Sequence, residues 1–412
     1  MGRLGRPGVR RDGRHGRGDV PLGTVARGPG AATDDGVRVP GAGLRGHHRG
    51  RVARRNAPPD SGCGGAADVR RGLARIGQTA GAVKGPGGDP SKSVRPTFPP
   101  TKEEAAVAKI APGVYNITAT PFDESGELDL DSLRSLIDFQ LVRGVTGLTI
   151  LGNLGEVRYL TDAERQHVLE STLAHVAGRV PVIVGLGFSG AHATLYHARR
   201  AAAAGAAGLM VAPPAGARGQ EAVLDHYRRV GEGTPLPIVI FDEPVTSGVT
   251  MPPAMLARLV EAVPTAGVIK LEDPPTPVKL TQIRRVLGDR AQIFGGLGGA
   301  HFLEELGRGA DGTMTGFAFS EVLVEIYRRF VAGEAKQARA IFERYLPLIR
   351  YEAQPGIGLS LRKEILRRRG AIRTSVLRPP AQPLDRETLA ELDATLAAVD
   401  AAGRESPAVM IR

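Results

Sequence analysis

The run Gly267-Val-Ile-Lys270-Leu-Glu272-Asp-Pro-Pro275 places a lysine at the end of a short apolar stretch bounded by glycine and proline, the pattern of a buried parallel strand. Lysine is strongly hydrated and seldom buried without a partner. Burial lowers its pKa and yields the neutral amine that attacks a carbonyl to form a Schiff base. The alternative is a strand-end lysine whose stem lies on apolar surface while its ammonium reaches water. Side chains alternate along a strand, so Lys270 and Glu272 share one face.

Working outward, the same pattern recurs. Strands are predicted at 114–119, 147–151, 182–186, 208–212, 238–242, 267–271, 291–295 and 312–316, each followed by one helical pattern. The first helix starts at Asp131, ahead of the stripe Leu133, Leu136, Ile137, Phe139 and Leu141. The second opens on the capping box Thr161-Asp-Ala-Glu164 and runs through Ala177. Strand–helix alternation implies a parallel sheet, and eight units in about 220 residues match a closed (β/α)8 TIM barrel over residues 106–332. An open doubly wound sheet is the competitor, supported by Gly185-Leu-Gly187-Phe-Ser-Gly190. A dinucleotide fingerprint also needs an acidic residue at the end of the next strand, and Gly208-Leu-Met-Val-Ala-Pro213 supplies none. These glycines read as a tight turn. Residues 333–412 form a C-terminal helical extension with helices near 334–351, 357–369 and 385–401.

Charge separates the chain into two parts. Residues 1–100 hold 23 of the 55 glycines, 19 of the 54 Lys and Arg, seven Asp, no Glu and a single aromatic, Phe98. This segment carries the entire net +11, so the basic character belongs to an Arg/Gly-rich tail (1–105), expected to be disordered or foreign to the native protein. An RNA-binding tail is the functional alternative, but such tails interleave aromatics for base stacking. No nucleic acid partner is therefore expected. Cys63 is the only cysteine, which excludes an internal disulfide framework and makes a cytoplasmic setting the default. No apolar run is long enough for a membrane span, and no cluster has metal-ligand spacing. Neither metal nor cofactor is expected.

In a barrel of this kind, chemistry gathers at the C-terminal ends of the strands. These ends carry Gly152-Asn153-Leu154-Gly155-Glu156, Phe241-Asp242-Glu243-Pro244, Lys270 with Glu272, Gly295 to Gly299, and Thr313-Met-Thr315. The glycine turns after strands two and seven expose N–H groups to an anion, most naturally a substrate carboxylate, though glycine also serves plain loop geometry. Glu272, Glu156 and Asp242 are the carboxylates placed to move protons, with Glu272 first. Glu156 also reads as a loop pin that accepts backbone N–H bonds. Thr118, Thr120, Thr313 and Thr315 hold substrate hydroxyls or complete the upper core layer. His301 is the one histidine near the mouth.

From Gly113 to about Asp400 the chain resembles the dihydrodipicolinate synthase and N-acetylneuraminate lyase superfamily of Schiff-base barrels. The matching residues are Thr118-Ala-Thr120-Pro-Phe122, Gly152-x-x-Gly155-Glu156, Pro213, Pro244 with Gly248, and Ile269-Lys270. The resemblance implies that Lys270 condenses with the ketone of a 2-oxo acid whose carboxylate sits on the turn at Gly152 and Asn153. It also implies a homotetramer or dimer. Several family positions differ here. Asn153 and Leu154 replace two threonines, Phe241 stands at the catalytic tyrosine, Thr246 replaces an arginine, and Pro214-Ala215 replaces a tyrosine pair. These losses count against 4-hydroxy-tetrahydrodipicolinate synthesis by pyruvate condensation. Ser247-Gly-Val-Thr250, Gly312-Thr-Met314, Leu346-Pro-Leu-Ile349, Tyr351-Glu352 and Val376-Leu-Arg378 resemble the branch acting on 2-keto-3-deoxy sugar acids, so dehydration or retro-aldol cleavage is the expected reaction. A non-catalytic ligand-binding barrel is the rival from another class.

Overall fold

The computed structural model describes residues 107–187 and 189–405. The Arg/Gly-rich tail, residues 1–105, lies outside the described residues. Along the chain follow β1 (Gly113–Ile117), α1 (Leu130–Val142), β2 (Gly147–Ile150), α2 (Asp162–Val176), β3 (Val182–Gly185), α3 (Ala191–Ala203), β4 (Gly208–Val211) and α4 (Gln220–Glu232). Next come β5 (Ile238–Asp242), the short α5 (Pro244–Ser247), α6 (Pro253–Ala262), β6 (Val268–Leu271), α7 (Thr276–Leu287), β7 (Gln292–Gly295), α8 (Phe302–Gly307), β8 (Gly312–Thr315) and α9 (Ser320–Val331). Helices α10 (Ala335–Glu352), α11 (Gly358–Arg368) and α12 (Arg386–Glu405) complete the extension. The eight strands pair in parallel, in sequence order, and β8 closes on β1. The chain is a TIM barrel, and the open-sheet alternative falls.

Every strand residue is buried, because one face fills the barrel and the other meets the helices. Tyr115, Met210, Val239, Phe241, Val268, Phe294 and Met314 point inward. Ile238, Ile240, Ile269, Leu271 and Ile293 belong to the outer core under the helices. The interior fills by matching large side chains to small ones. Tyr115 and Phe294 meet edge to face, 5.7 Å between centroids, and a Cβ on Gly147 would collide with the Tyr115 ring. Gly185 has a similar role, since any side chain there would strike the Leu151 carbonyl. With Gly187 in a left-handed turn, the geometry of the chain accounts for the first two glycines of the motif.

Two helix boundaries differ from the sequence expectation. The cap of α1 is Asp129, which accepts the Ser132 N–H at 2.9 Å and also binds Arg373 of the extension; Asp131 is already helical. The capping box of α2 is present, but Ala177 adopts φ 47° and ends the helix at Val176. Among the described residues no helix is long and apolar enough to cross a membrane.

The extension folds back over the barrel's C-terminal face. Its apolar side, with Phe342, Leu348, Leu361 and Ile365, shares a core with α8 and α9. A buried ion pair fixes it to the β2 turn, where Lys363 of α11 meets Glu156 while donating to the Val376 carbonyl at 2.8 Å. Burial pulls the Lys363 ammonium below its ordinary pKa, and Glu156 opposes that shift. Lys363→Met, which strands Glu156, is expected to cost about 3–5 kcal/mol in chemical denaturation, and Glu156→Gln on that background to recover much of the loss. An unchanged stability in Lys363→Met would contradict this role.

Candidate active site

The strand ends and the extension enclose a cleft of about 670 Å³. Lys270 enters it from β6 and is 4 % exposed. Its Nζ lies 3.3 Å from Glu272 Oε1 and 4.2 Å from the centre of the Phe241 ring, which comes from the paired position on β5. The period of two along β6 thus places amine and carboxylate together. Glu272 is held in turn, since its Oε1 accepts the Leu297 N–H at 3.0 Å. The neighbouring Gly296 makes room for it, because a Cβ there would overlap the carboxylate. The N–H of the glycine turn after β7 is therefore used by a carboxylate of the protein itself.

Asn153, Leu154, Glu156 and Thr315 also line the cleft. Gly152 adjoins it, with its Cβ position 3.3 Å from the Met210 methyl group. The turns that carry these groups are strained. Leu151 and Glu156 bracket the β2 turn at φ 55° and 54°, and Leu297 has φ 45°, a left-handed region that costs non-glycine residues about 1–2 kcal/mol each.

Other sequence candidates are not brought to the mouth. Asp242 points outward at the end of β5, against Lys279 of α7 at 2.6 Å, an ion contact without hydrogen-bond alignment. Burial lifts its carboxyl to about 6 although Lys279 pulls the other way. Thr118 faces α1 and donates to Gln140 at 3.1 Å, and Thr120 donates to the Gly155 carbonyl at 2.7 Å. Thr313 donates to the Gly295 carbonyl at 3.3 Å. Gly295 faces Glu305 of α8, whose carboxylate occupies the space a side chain would need. The strand period explains these placements: Asp242 alternates with Phe241, and Thr313 with Met314, so each points away from the interior. His301 is an exposed residue at the start of α8.

The sequence reading missed Tyr159, Met210, Glu352, Gln354 and Arg362, all lining the cleft. Three of these come from the extension, and no local signal shows that α10 and α11 return to the mouth. Among the described residues no group of three or more His, Cys, Asp or Glu is placed to hold a metal ion.

The closed barrel agrees with what comparison with known proteins finds. Residues 111–399 match the model of the dihydrodipicolinate synthetase family. The chain belongs to this family. Its relatives are lyases and aldolase-type enzymes that act on small molecules, and so is this chain. Among the curated members, the L-2-keto-3-deoxyarabonate dehydratase of Azospirillum brasilense is 34 % identical over 285 residues, 68 % of this chain and 92 % of the relative. The 4-hydroxy-tetrahydrodipicolinate synthase of Xanthomonas campestris is 35 % identical over 218 residues, 53 % of this chain and 70 % of the relative. The solved dihydrodipicolinate synthase of Rhodopseudomonas palustris superposes with a TM-score of 0.67 at 36 % identity, covering 70 % of this chain and 97 % of that one.

Glu305 gives the site's surroundings a measurable pH signature. Burial raises its carboxyl from 4.5 to about 7, a rise opposed by the Thr276 hydroxyl at 2.6 Å and reinforced by the Glu272 charge. The folded state thus holds a proton that the unfolded chain releases near 4.5. This contribution to stability is complete below that pH and lost as pH rises through 7. Relative to Glu305→Gln, the protein should lose about 3 kcal/mol between pH 4.5 and 8, read from denaturant midpoints. Parallel pH profiles for the two proteins would contradict the assignment.

Proposed function

We propose that this enzyme is a lyase for a short 2-oxo acid of the 2-keto-3-deoxy sugar acid type, working through a Schiff base on Lys270. The observation that carries this reading is the buried Lys270 with Glu272 at 3.3 Å and Phe241 over the amine, a nucleophile and a proton carrier with no tyrosine between them. The neutral amine attacks C2 and water leaves, forming a protonated imine that accepts electrons from C3. Glu272 removes a C3 proton to give the enamine. It then returns a proton to the departing C4 hydroxyl, which leaves as water. Hydrolysis of the imine frees the unsaturated 2-oxo acid and restores Lys270. The Phe241 ring faces the cationic nitrogen and favours it. If a base instead took the C4 hydroxyl proton, the C3–C4 bond would break and release an aldehyde. The similarity to a 2-keto-3-deoxyarabonate dehydratase over 92 % of its length supports dehydration. Condensation to a dihydrodipicolinate precursor is disfavoured, because Phe241 and Thr246 offer neither the hydroxyl nor the guanidinium that the resemblance associates with it.

Incubation with pyruvate followed by borohydride should add one reduced pyruvate to the wild type and none to Lys270→Ala. Glu272→Gln should still form the adduct while turnover of 2-keto-3-deoxy sugar acids falls about 10²–10⁴-fold. No adduct on the wild type, or an equal adduct on Lys270→Ala, would refute the Schiff base. Full turnover in Glu272→Gln would refute the proton carrier.

A further inference from the structure

A 2-oxo acid brings a carboxylate into the cleft, where the β2 turn presents the side chains of Asn153 and Leu154. Among the residues lining the cleft, Glu156 is already paired with Lys363, and Glu243, Glu272 and Glu352 share the walls with two cations, Lys270 and Arg362. Lys270 is committed to C2. Arg362 sits on α11 and is 4 % exposed. Its Nε donates to Glu352 Oε1 at 2.5 Å, and Glu352 Oε2 accepts the Ala318 N–H at 3.1 Å, which fixes the plane of the guanidinium. Its Nη1 is buried without a hydrogen-bond partner, the only such side-chain nitrogen or oxygen among the described residues lining the cleft. A Cβ on Gly316 would lie 2.8 Å from this Nη1 and 2.8 Å from Leu154 Cδ1. Glycine at 316 therefore admits the guanidinium beside the β2 turn, where the carboxylate is expected.

We propose that Arg362 binds the substrate carboxylate through Nη1, an assignment that rests on reading the cleft as a 2-oxo acid site. The unpartnered donor, oriented by Glu352, receives a carboxylate oxygen in a charge-assisted bond. The leucine side chain of the β2 turn swings aside to admit it. The helical extension thus contributes the anion anchor, and the barrel contributes the nucleophile.

The test is calorimetric titration of pyruvate and its uncharged methyl ester into full-length Lys270→Ala, where no imine forms. Pyruvate is expected to bind at least about tenfold more tightly than the ester. Adding Arg362→Gln with Glu352→Gln, which exchanges the buried ion pair for two neutral amides, should weaken pyruvate about 10–100-fold and leave the ester unchanged. Arg362→Lys, which keeps the charge facing Glu352 but removes the fork, should lose the same discrimination. Equal affinity of acid and ester in Lys270→Ala, or equal losses for both ligands in the Arg362 variants, would overturn the proposal. Failure of the Schiff-base reading would appear separately, as absence of a borohydride adduct on the wild type.

Discussion

A charge taken out of water must find an opposite charge, and the C-terminal end of this barrel buries several at once. Lys270 meets Glu272, Lys279 meets Asp242, Lys363 meets Glu156 and Arg362 meets Glu352. Removing one partner from such a pair costs far more than the pair itself contributes. Such charges tie the extension to the β2 turn and α7 to the end of β5, while Glu272 holds the β7 turn through the Leu297 N–H. The first pair differs from the others in facing the cleft with an amine. The remaining pairs hold the walls in which that amine works.

Glycine makes this crowding possible. Gly295 and Gly296 are consecutive and leave room for carboxylates on opposite sides of β7, Glu305 behind the wall and Glu272 within the mouth. Gly316 does the same for Arg362. Replacing any of them with a larger residue would displace a charged group, so the glycines constrain the electrostatics as well as the backbone.

The barrel was legible because its signal is local and repeated: eight apolar runs, each bounded by a turn residue and followed by an amphipathic helix, allow few topologies. Lys270 and Glu272 were legible for the same reason, since two residues on one strand share a face. Asp242, Thr118 and Thr313 were placed at the mouth by proximity to strand ends alone, and the alternation of side chains sends them outward. Glu156 was legible as a loop pin but not as the partner of Lys363, 207 positions away. Arg362 had no sequence signal and Glu352 only that of a family-like stretch, because their place in the cleft depends on how the extension folds back.

Phe241 supplies a ring against the amine and no proton, and the mechanism proposed above therefore assigns proton transfer to Glu272 beside it. The central claim is that Lys270, among all the lysines of the chain, carries the covalent intermediate. Peptide mapping by mass spectrometry of protein reduced with borohydride in the presence of pyruvate tests it most directly. The account predicts one modified peptide, with the adduct on Lys270; modification at another lysine, or none, would contradict it.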